Sequence, residues 1–414
     1  MSPVRSVSSG WGPPLRAAER EVVEASDLMR RFAERTGLDS DRPPRRYLWT
    51  DAFAVCNYLA LWQTTREAQY RGLALRLVDQ VHAVLGRHRA DDPRSGWISG
   101  LSDREGELHP TLGGLRIGKK LAERPRGAPL DEQLEWDRDG QYFHYLTRWM
   151  HALDQVARWT GEGRFNTWAR ELAEVAHRAF TRASPGGRGI VWKMSIDLSR
   201  PLVPSMGQHD PLDGLVTCLQ LRATAASLRA PPEPRLDEAL ADFAKLVEGG
   251  HLATADPLGL GGVLLDAGRV AQLMGQGALA QADLLEALLA SALAGLSHYE
   301  REHDPGRPAS RRLAFRELGL ATGIAALGVI EKEIEGRRVP GGARLRARLE
   351  ALTPYLALGA GIGSFWRDPA RRGTRSWAEH GDINDVMLAS CLVPEGVVIL
   401  APASRTAAAA QRGS

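Results

Sequence analysis

Three cysteines in 414 residues are too few for a disulfide framework. Cys56, Cys218 and Cys391 lie in apolar helical runs without Cys-x-x-Cys or Cys–His spacing, which fits free core thiols in a reducing compartment. Charge of one sign is also lacking. Lys and Arg number 53 against 50 Asp and Glu, so the net charge is +3, and no basic tract interleaved with aromatics marks a nucleic-acid surface. No uninterrupted apolar run is long enough to cross a bilayer, and residues 1–16 lack the apolar stretch of a secretory signal, so a cytoplasmic protein is expected. The Gly-rich stretch 256–262 lacks both the Lys-Ser/Thr of a phosphate loop and a preceding strand, which argues against nucleotide binding. Neither cofactor nor structural metal is called for. His380 and Asp382, two residues apart, are too small a ligand set for zinc.

Apolar helical runs are plentiful: 43% of the residues are hydrophobic, enough for a large core. Six stretches place a polar cluster ahead of an almost uniformly apolar run. They begin near Asp51, Asp139, Asp210, Asp256, Arg316 and Asp382. A helix that is hydrophobic all round belongs inside a protein. Each of the first five is followed by an amphipathic helix, as where Phe143, Leu146, Met150 and Leu153 precede the turn 160–164 and then Phe165, Trp168, Leu172 and Val175. The last run, 382–392, lacks a partner after it, and the amphipathic segment 17–32 can supply one. That closure predicts an all-α toroid of six inner and six outer helices, one domain over 17–400 with flexible tails at 1–16 and 401–414. A small hairpin within 91–123 is the only sheet expected, from Trp97-Ile98-Ser99 and 113–117.

Loop lengths add direction. Connections from apolar to amphipathic helix are short, whereas 86–139 and 181–210 are long and rich in Gly and Pro. Long ordered loops are usually functional, and these feed the N-terminal ends of the apolar helices. The pattern resembles the (α/α)6 barrel of the six-hairpin glycosidase superfamily over about 17–392. No signature motif carries catalytic residues across. The resemblance implies a carbohydrate-processing enzyme with its site in the barrel mouth; fold analogy alone does not settle function.

The polar clusters supply candidates. Asp51, beside Trp49, stands where a helix starts and is equally read as a first-turn residue. Asp137, Arg138, Asp139, Tyr142 and His144, with Trp136, form the densest cluster, and crowded carboxylates push one pKa upward. His209, Asp210 and Asp213 follow the loop bearing Trp192 and Lys193. There Pro211 suits a first helical turn with Asp210 as its cap. Arg316 and Glu317 are charges inside an apolar run, costly unless paired or wet. Trp377, His380 and Asp382 gather before the last run.

Glycosidases generally need one protonated and one ionised carboxyl. The reading is therefore a glycoside hydrolase with Asp139 and Asp210 as the working pair. Asp51, Asp137, Asp213, Glu317, His144, His209, His380 and Asp382 complete the candidate catalytic set. Trp49, Trp136, Tyr142, Arg138, Trp192, Arg316 and Trp377 are expected to bind substrate, a small carbohydrate. With Arg138, Lys193, Arg316 and Arg375 near the mouth, an acidic sugar is one candidate. An epimerase or lyase using His144, His209 or His380 is the alternative enzyme. A non-catalytic toroid would instead have every mouth carboxylate paired to Arg and no open cavity. All candidates are expected to converge on one cavity.

Overall fold

The computed structural model describes residues 17–184, 187–248, 250–336 and 341–402. Its helices, in chain order, are α1 (Ala17–Arg35), α2 (Leu48–Thr65), α3 (Ala68–Leu85), α4 (Asp103–Leu108), α5 (Glu132–Asp137), α6 (Phe143–Thr160), α7 (Gly163–Phe180), α8 (Asp210–Leu228) and α9 (Asp237–Glu248). They continue with α10 (Pro257–Gly275), α11 (Ala282–Glu302), α12 (Ala314–Glu335), α13 (Gly342–Leu352), α14 (Leu356–Arg367), α15 (Pro369–Arg372), α16 (Arg375–Glu379), α17 (Gly381–Leu392) and α18 (Glu395–Val398).

The apolar runs form an inner ring, α2–α6–α8–α10–α12–α17, in which each helix packs on the next and α17 closes on α2. Every residue of α2 from Leu48 to Leu61 is buried, as an all-apolar helix requires. Outer helices α3, α7, α9 and α11 follow their inner partners, and α1 packs on α17 and α2 as the closure from 17–32 predicts. Short connectors are built by local stereochemistry. Gly161, with φ 73°, closes α6 in the left-handed conformation and lets α7 start two residues later. The tightest contact joins α10 to α12. A Cβ at Gly261 would lie 2.3 Å from the Gly319 carbonyl oxygen, and one at Gly323 would lie 2.5 Å from Gly261 Cα, so glycine permits the approach.

Three expectations need correction. The sixth outer element is split: α13 is followed by a 3₁₀ turn, Thr353–Tyr355, and by α14, which packs against both α12 and α17. Residues 91–123 contain no hairpin but only bridge pairs such as Arg87 with Trp97. The sheet lies elsewhere. β1 (Gln141–Tyr142), β4 (Lys193–Met194) and β5 (Pro201–Val203) form an antiparallel sheet in the order β1-β4-β5, and β2 (Thr181–Ser184) pairs with β3 (Gly187–Ile190). Finally, the chain does not become a tail at 401. Gln155 Nε2 donates to the carbonyls of Gly396 and Ile399 (2.8 and 2.7 Å), Gln272 Nε2 to Val398 O (2.8 Å) and Arg158 Nη1 to Ala401 O (2.9 Å). Residues 395–401 thus plug the ring at the end where the inner helices finish. The expected tails at 1–16 and 403–414 lie outside the described residues.

Among the described residues no helix is long and apolar enough to cross a membrane, and no group of three or more His, Cys, Asp or Glu is placed to hold a metal ion.

Candidate active site

At the end opposite the plug, the starts of the inner helices surround a cavity of about 260 Å³. α2 contributes Trp49 and Phe53, α6 His144 and Arg148, α8 Asp210 and Asp213, and α10 Leu258, Gly259, Gly261, Gly262 and Leu265. Trp192, Gly207, Gln208 and His209 come from the long loop before α8, and Asp256 from the short connection before α10. The sheet fixes this geometry. β1 runs straight into α6, Phe143 N donates to Trp192 O (3.3 Å), and Trp192 N donates to Ser205 O (2.8 Å), which ties α6 to the loop before α8. A smaller void of about 10 Å³ shares Phe53, Arg148 and Leu265 with the cavity and reaches His151, Arg269 and Val397 below.

Asp210 is incompletely satisfied. α8 begins at Asp210 with His209 at the cap position and no side-chain cap hydrogen bond, so Asp210 does not serve as the cap its sequence suggested. It is 4% exposed and its Oδ2 finds no protein partner, while Oδ1 lies 3.9 Å from His144 Nδ1, itself unpartnered. Burial, reinforced by the charge of Asp213 one turn along, pushes the Asp210 carboxyl up to about 8. Burial, with Arg148 nearby, lowers His144 to about 3. At neutral pH the pair is therefore a carboxylic acid beside a neutral imidazole. Gly207 abuts the carboxyl, where a Cβ would lie 2.6 Å from Oδ2.

Asp213 is differently placed. Arg148 Nη2 holds Oδ1 at 2.9 Å and Arg269 Nη2 stands 4.0 Å away. Burial raises its pKa, Arg148 opposes that shift, and the neighbouring Asp266 adds to it. Asp256 does cap its helix, accepting from Gly259 N at 2.9 Å, and its other oxygen pairs with Arg316. His209 Nε2 lies 2.9 Å from Leu252 O, so that nitrogen donates and Nδ1 is left as an acceptor. Trp192 lies nearly parallel to the His144 ring (centroids 6.0 Å, 16°), and Tyr142 stacks on the same imidazole at 5.4 Å.

Convergence holds for part of the candidate set: His144, His209, Asp210, Asp213, Trp49 and Trp192 line the cavity, with Tyr142 packed behind His144. Asp139 does not. It is fully buried and accepts from Arg116 Nη1 (2.6 Å), Arg89 Nη1 (3.3 Å) and the amides of Gly118, Lys119 and Gly140 (3.0, 3.3 and 3.1 Å). With five donors on two oxygens it anchors a loop and has no capacity left for substrate. Asp137 is exposed at the end of α5. Asp51 caps its own helix entrance, accepting from Tyr47 N at 2.8 Å near Arg46, and burial raises it to about 6.

The remaining candidates have other duties. Glu317 takes a bidentate grip from Arg312 and a bond from Trp366 Nε1 (2.8 Å). Asp382 is held by Arg35 and Arg45, and His380 is exposed against Phe315. Trp377 packs on Trp366, and Trp136 stands on the rim, 52% exposed. The four cations expected to meet an acidic sugar are all engaged. Arg138 bonds the carbonyls of Ala122 and Glu123, Lys193 is buried on Glu135, Arg316 meets Asp256 and Arg375 meets Glu379.

Sequence reasoning missed Arg148 and assigned Asp256 no role. Arg148 had a local signal: it stands four residues after His144, on the same face of the same helix.

No protein-family model matches the sequence, and no curated protein matches it. Solved structures do. The chain is similar to the GH76A alpha-1,6-mannanase from Salegentibacter sp. HEL1_6, with 11% identity and a TM-score of 0.50 over 90% of this chain and 98% of that one. An inactive variant of that enzyme, with two consecutive aspartates changed to alanine and alpha-1,6-mannotetrose bound, gives a TM-score of 0.51 at 11% identity over 90% and 99%. The cellobiose 2-epimerase from Spirochaeta thermophila DSM 6192 gives 0.47 at 12% identity over 91% and 96%. The match to the mannanase along nearly the whole of both chains shows the (α/α)6-barrel fold, as the helix pattern predicted.

Proposed function

We propose that this barrel is a carbohydrate-active enzyme that hydrolyses a glycosidic bond of a neutral sugar, with Asp210 as general acid. The observation that carries the reading is the Asp210 carboxyl: buried, with Oδ2 unpartnered, and proton-bearing to about 8, in a cavity walled by Trp49 and Trp192. An acid poised near the working pH is what protonation of a leaving glycosidic oxygen needs. Asp256, at the start of neighbouring α10, is the carboxylate suited to stabilise the developing cation or to direct water. Once Asp210 has given its proton to the leaving oxygen, water supplies the proton that restores the acid, beside the neutral His144 imidazole 3.9 Å away. The open cavity and the unpaired Asp210 speak against a purely structural toroid. The engaged cations favour a neutral over an acidic sugar.

The mannanase relative is inactivated at two consecutive aspartates. The only such pair in this chain, Asp91–Asp92, is bound to Arg89 and Arg94 away from the cavity lining. Hydrolysis here would rest on a different carboxyl set. A second reading, sugar epimerisation, is favoured by one specific observation. His144 and His209 each leave a ring nitrogen unbonded in the same cavity, two imidazoles able to move a proton at a sugar carbon. Incubation in deuterated water with neutral disaccharides and short mannose and glucose oligosaccharides separates the readings. Hydrolysis yields new reducing ends without carbon-bound deuterium; epimerisation yields a deuterated isomer with the glycosidic bond intact. Neither product from any of these sugars would overturn the assignment.

A further inference from the structure

Trp136 is exposed at the rim while the short helix that carries it is anchored with unusual care. α5 has six residues, too few to hold itself. Asp131 caps it, accepting from Leu134 N at 3.0 Å. Beneath it, Lys193 of β4 is fully buried and donates to Glu135 Oε1 (3.0 Å), Glu135 O (2.7 Å) and Arg138 O (2.8 Å), while Arg124 Nε holds Glu135 Oε2 at 3.0 Å. Burying such a pair costs desolvation that a hydrophobic contact would avoid. Its structural product is a fixed position for the next residue, Trp136.

That position continues the cavity. Trp136 meets Trp192 at 4.9 Å, edge to face, and Trp192 lines the cavity over the His144 ring beside Asp210. An aromatic series therefore runs from solvent to the acid. Trp136 is 52% exposed, so the outer end of the series presents indole surface to solvent next to the cavity wall. We infer that Trp136 is an outer sugar-binding subsite, continuous with the cavity through Trp192, which stacks a ring of a neutral oligosaccharide beyond the one at Asp210. This rests on the proposed function and specifies its substrate class: an oligosaccharide rather than a monosaccharide. Amphipathic sugar rings present an apolar face to indoles, and such contacts need no charge.

The test uses the full chain carrying Asp210→Asn, so that binding is read without turnover. Mono- and tetrasaccharides of glucose and of mannose are titrated calorimetrically against this protein and against versions also carrying Trp136→Ala or Trp136→Phe. The expected result is tighter binding of a tetrasaccharide than of its monosaccharide. Trp136→Ala should weaken the tetrasaccharide about tenfold, the scale of one aromatic contact, and the monosaccharide by less than about twofold. Trp136→Phe should restore most of the loss. If a tetrasaccharide binds and Trp136→Ala leaves its affinity unchanged, or weakens both lengths equally, the subsite is overturned while the catalytic reading stands. If no sugar of either length binds, both fall.

Discussion

Two buried carboxylates at opposite ends of the barrel, Asp154 and Asp210, are held in opposite ways. At the plugged end, Asp154 accepts from Arg158 Nε (2.9 Å), Asn166 Nδ2 (2.9 Å), Gln220 Nε2 (2.7 Å) and Thr224 Oγ1 (2.9 Å). At the mouth, Asp210 is almost as buried, yet one oxygen has no partner and the nearest base is 3.9 Å away. Buried polar groups are normally satisfied, and leaving one unsatisfied costs about 1–3 kcal/mol. The plugged end shows what this chain does with a carboxylate meant only to hold helices together. The mouth departs from that pattern where helix starts, aromatic walls and a cavity coincide, which is where a strained, proton-holding acid has a use.

Opposite responses to substitution would sharpen that contrast. The largest effect is expected for Asp210→Asn: turnover of the active sugar falls by about 10²–10⁴-fold, the usual contribution of a general acid, while the melting temperature holds or rises. Steady-state kinetics with a thermal melt checks both. Asp154→Ala should do the reverse, destabilising the fold by about 3–5 kcal/mol through a stranded Arg158, with turnover per folded molecule kept. A denaturant titration that finds the two variants equally stable would erase the distinction between the ends.

A subtler expectation concerns pH. Asp210 moves from an ordinary carboxyl value of 3.8 when unfolded to about 8 when folded. The native state therefore holds the extra proton between those limits and loses stability as pH rises through them. His144 acts in the other direction. Lowered from 6.5 to about 3, it makes the native state bind fewer protons in that window and gain stability as pH rises across it. The stability advantage of Asp210→Asn over the parent should thus grow from pH 4 to pH 8 and level off above. Equilibrium unfolding at four or five pH values would show it, and a constant offset would count against a proton-holding Asp210. The smallest effect is expected at Gly207. Gly207→Ala presses a methyl on the Asp210 carboxyl, so it should lower turnover and shift the basic limb of the rate profile without a comparable loss of stability.

Much of the architecture was legible because it is written in local periodicity. The apolar runs became α2, α6, α8, α10, α12 and α17, and 17–32 supplied the missing partner. α14 was not recognised, and the plug at 395–401 left no local mark because the partners that hold its carbonyls, Gln155, Arg158 and Gln272, stand more than a hundred residues earlier. The site divided along the same line. His144, His209, Asp210 and Asp213 sit in or beside the first turns of inner helices, where facing is set by helical spacing. Asp139 has much the same neighbours in sequence, but its fate is decided by Arg116 and Arg89, 23 and 50 residues away across a loop. An ion pair of that range leaves no mark on local spacing, so a structural carboxylate and a chemical one looked alike.

The central claim is that the mouth keeps a proton on Asp210 at neutral pH. Infrared difference titration of the full chain from pH 5 to pH 9, compared with Asp210→Asn, observes that proton directly. The account predicts a protonated-carboxyl band that is present at pH 7, disappears near pH 8 and is missing from the variant. A spectrum in which the two proteins match throughout, with Asp210 already ionised at pH 5, would contradict it.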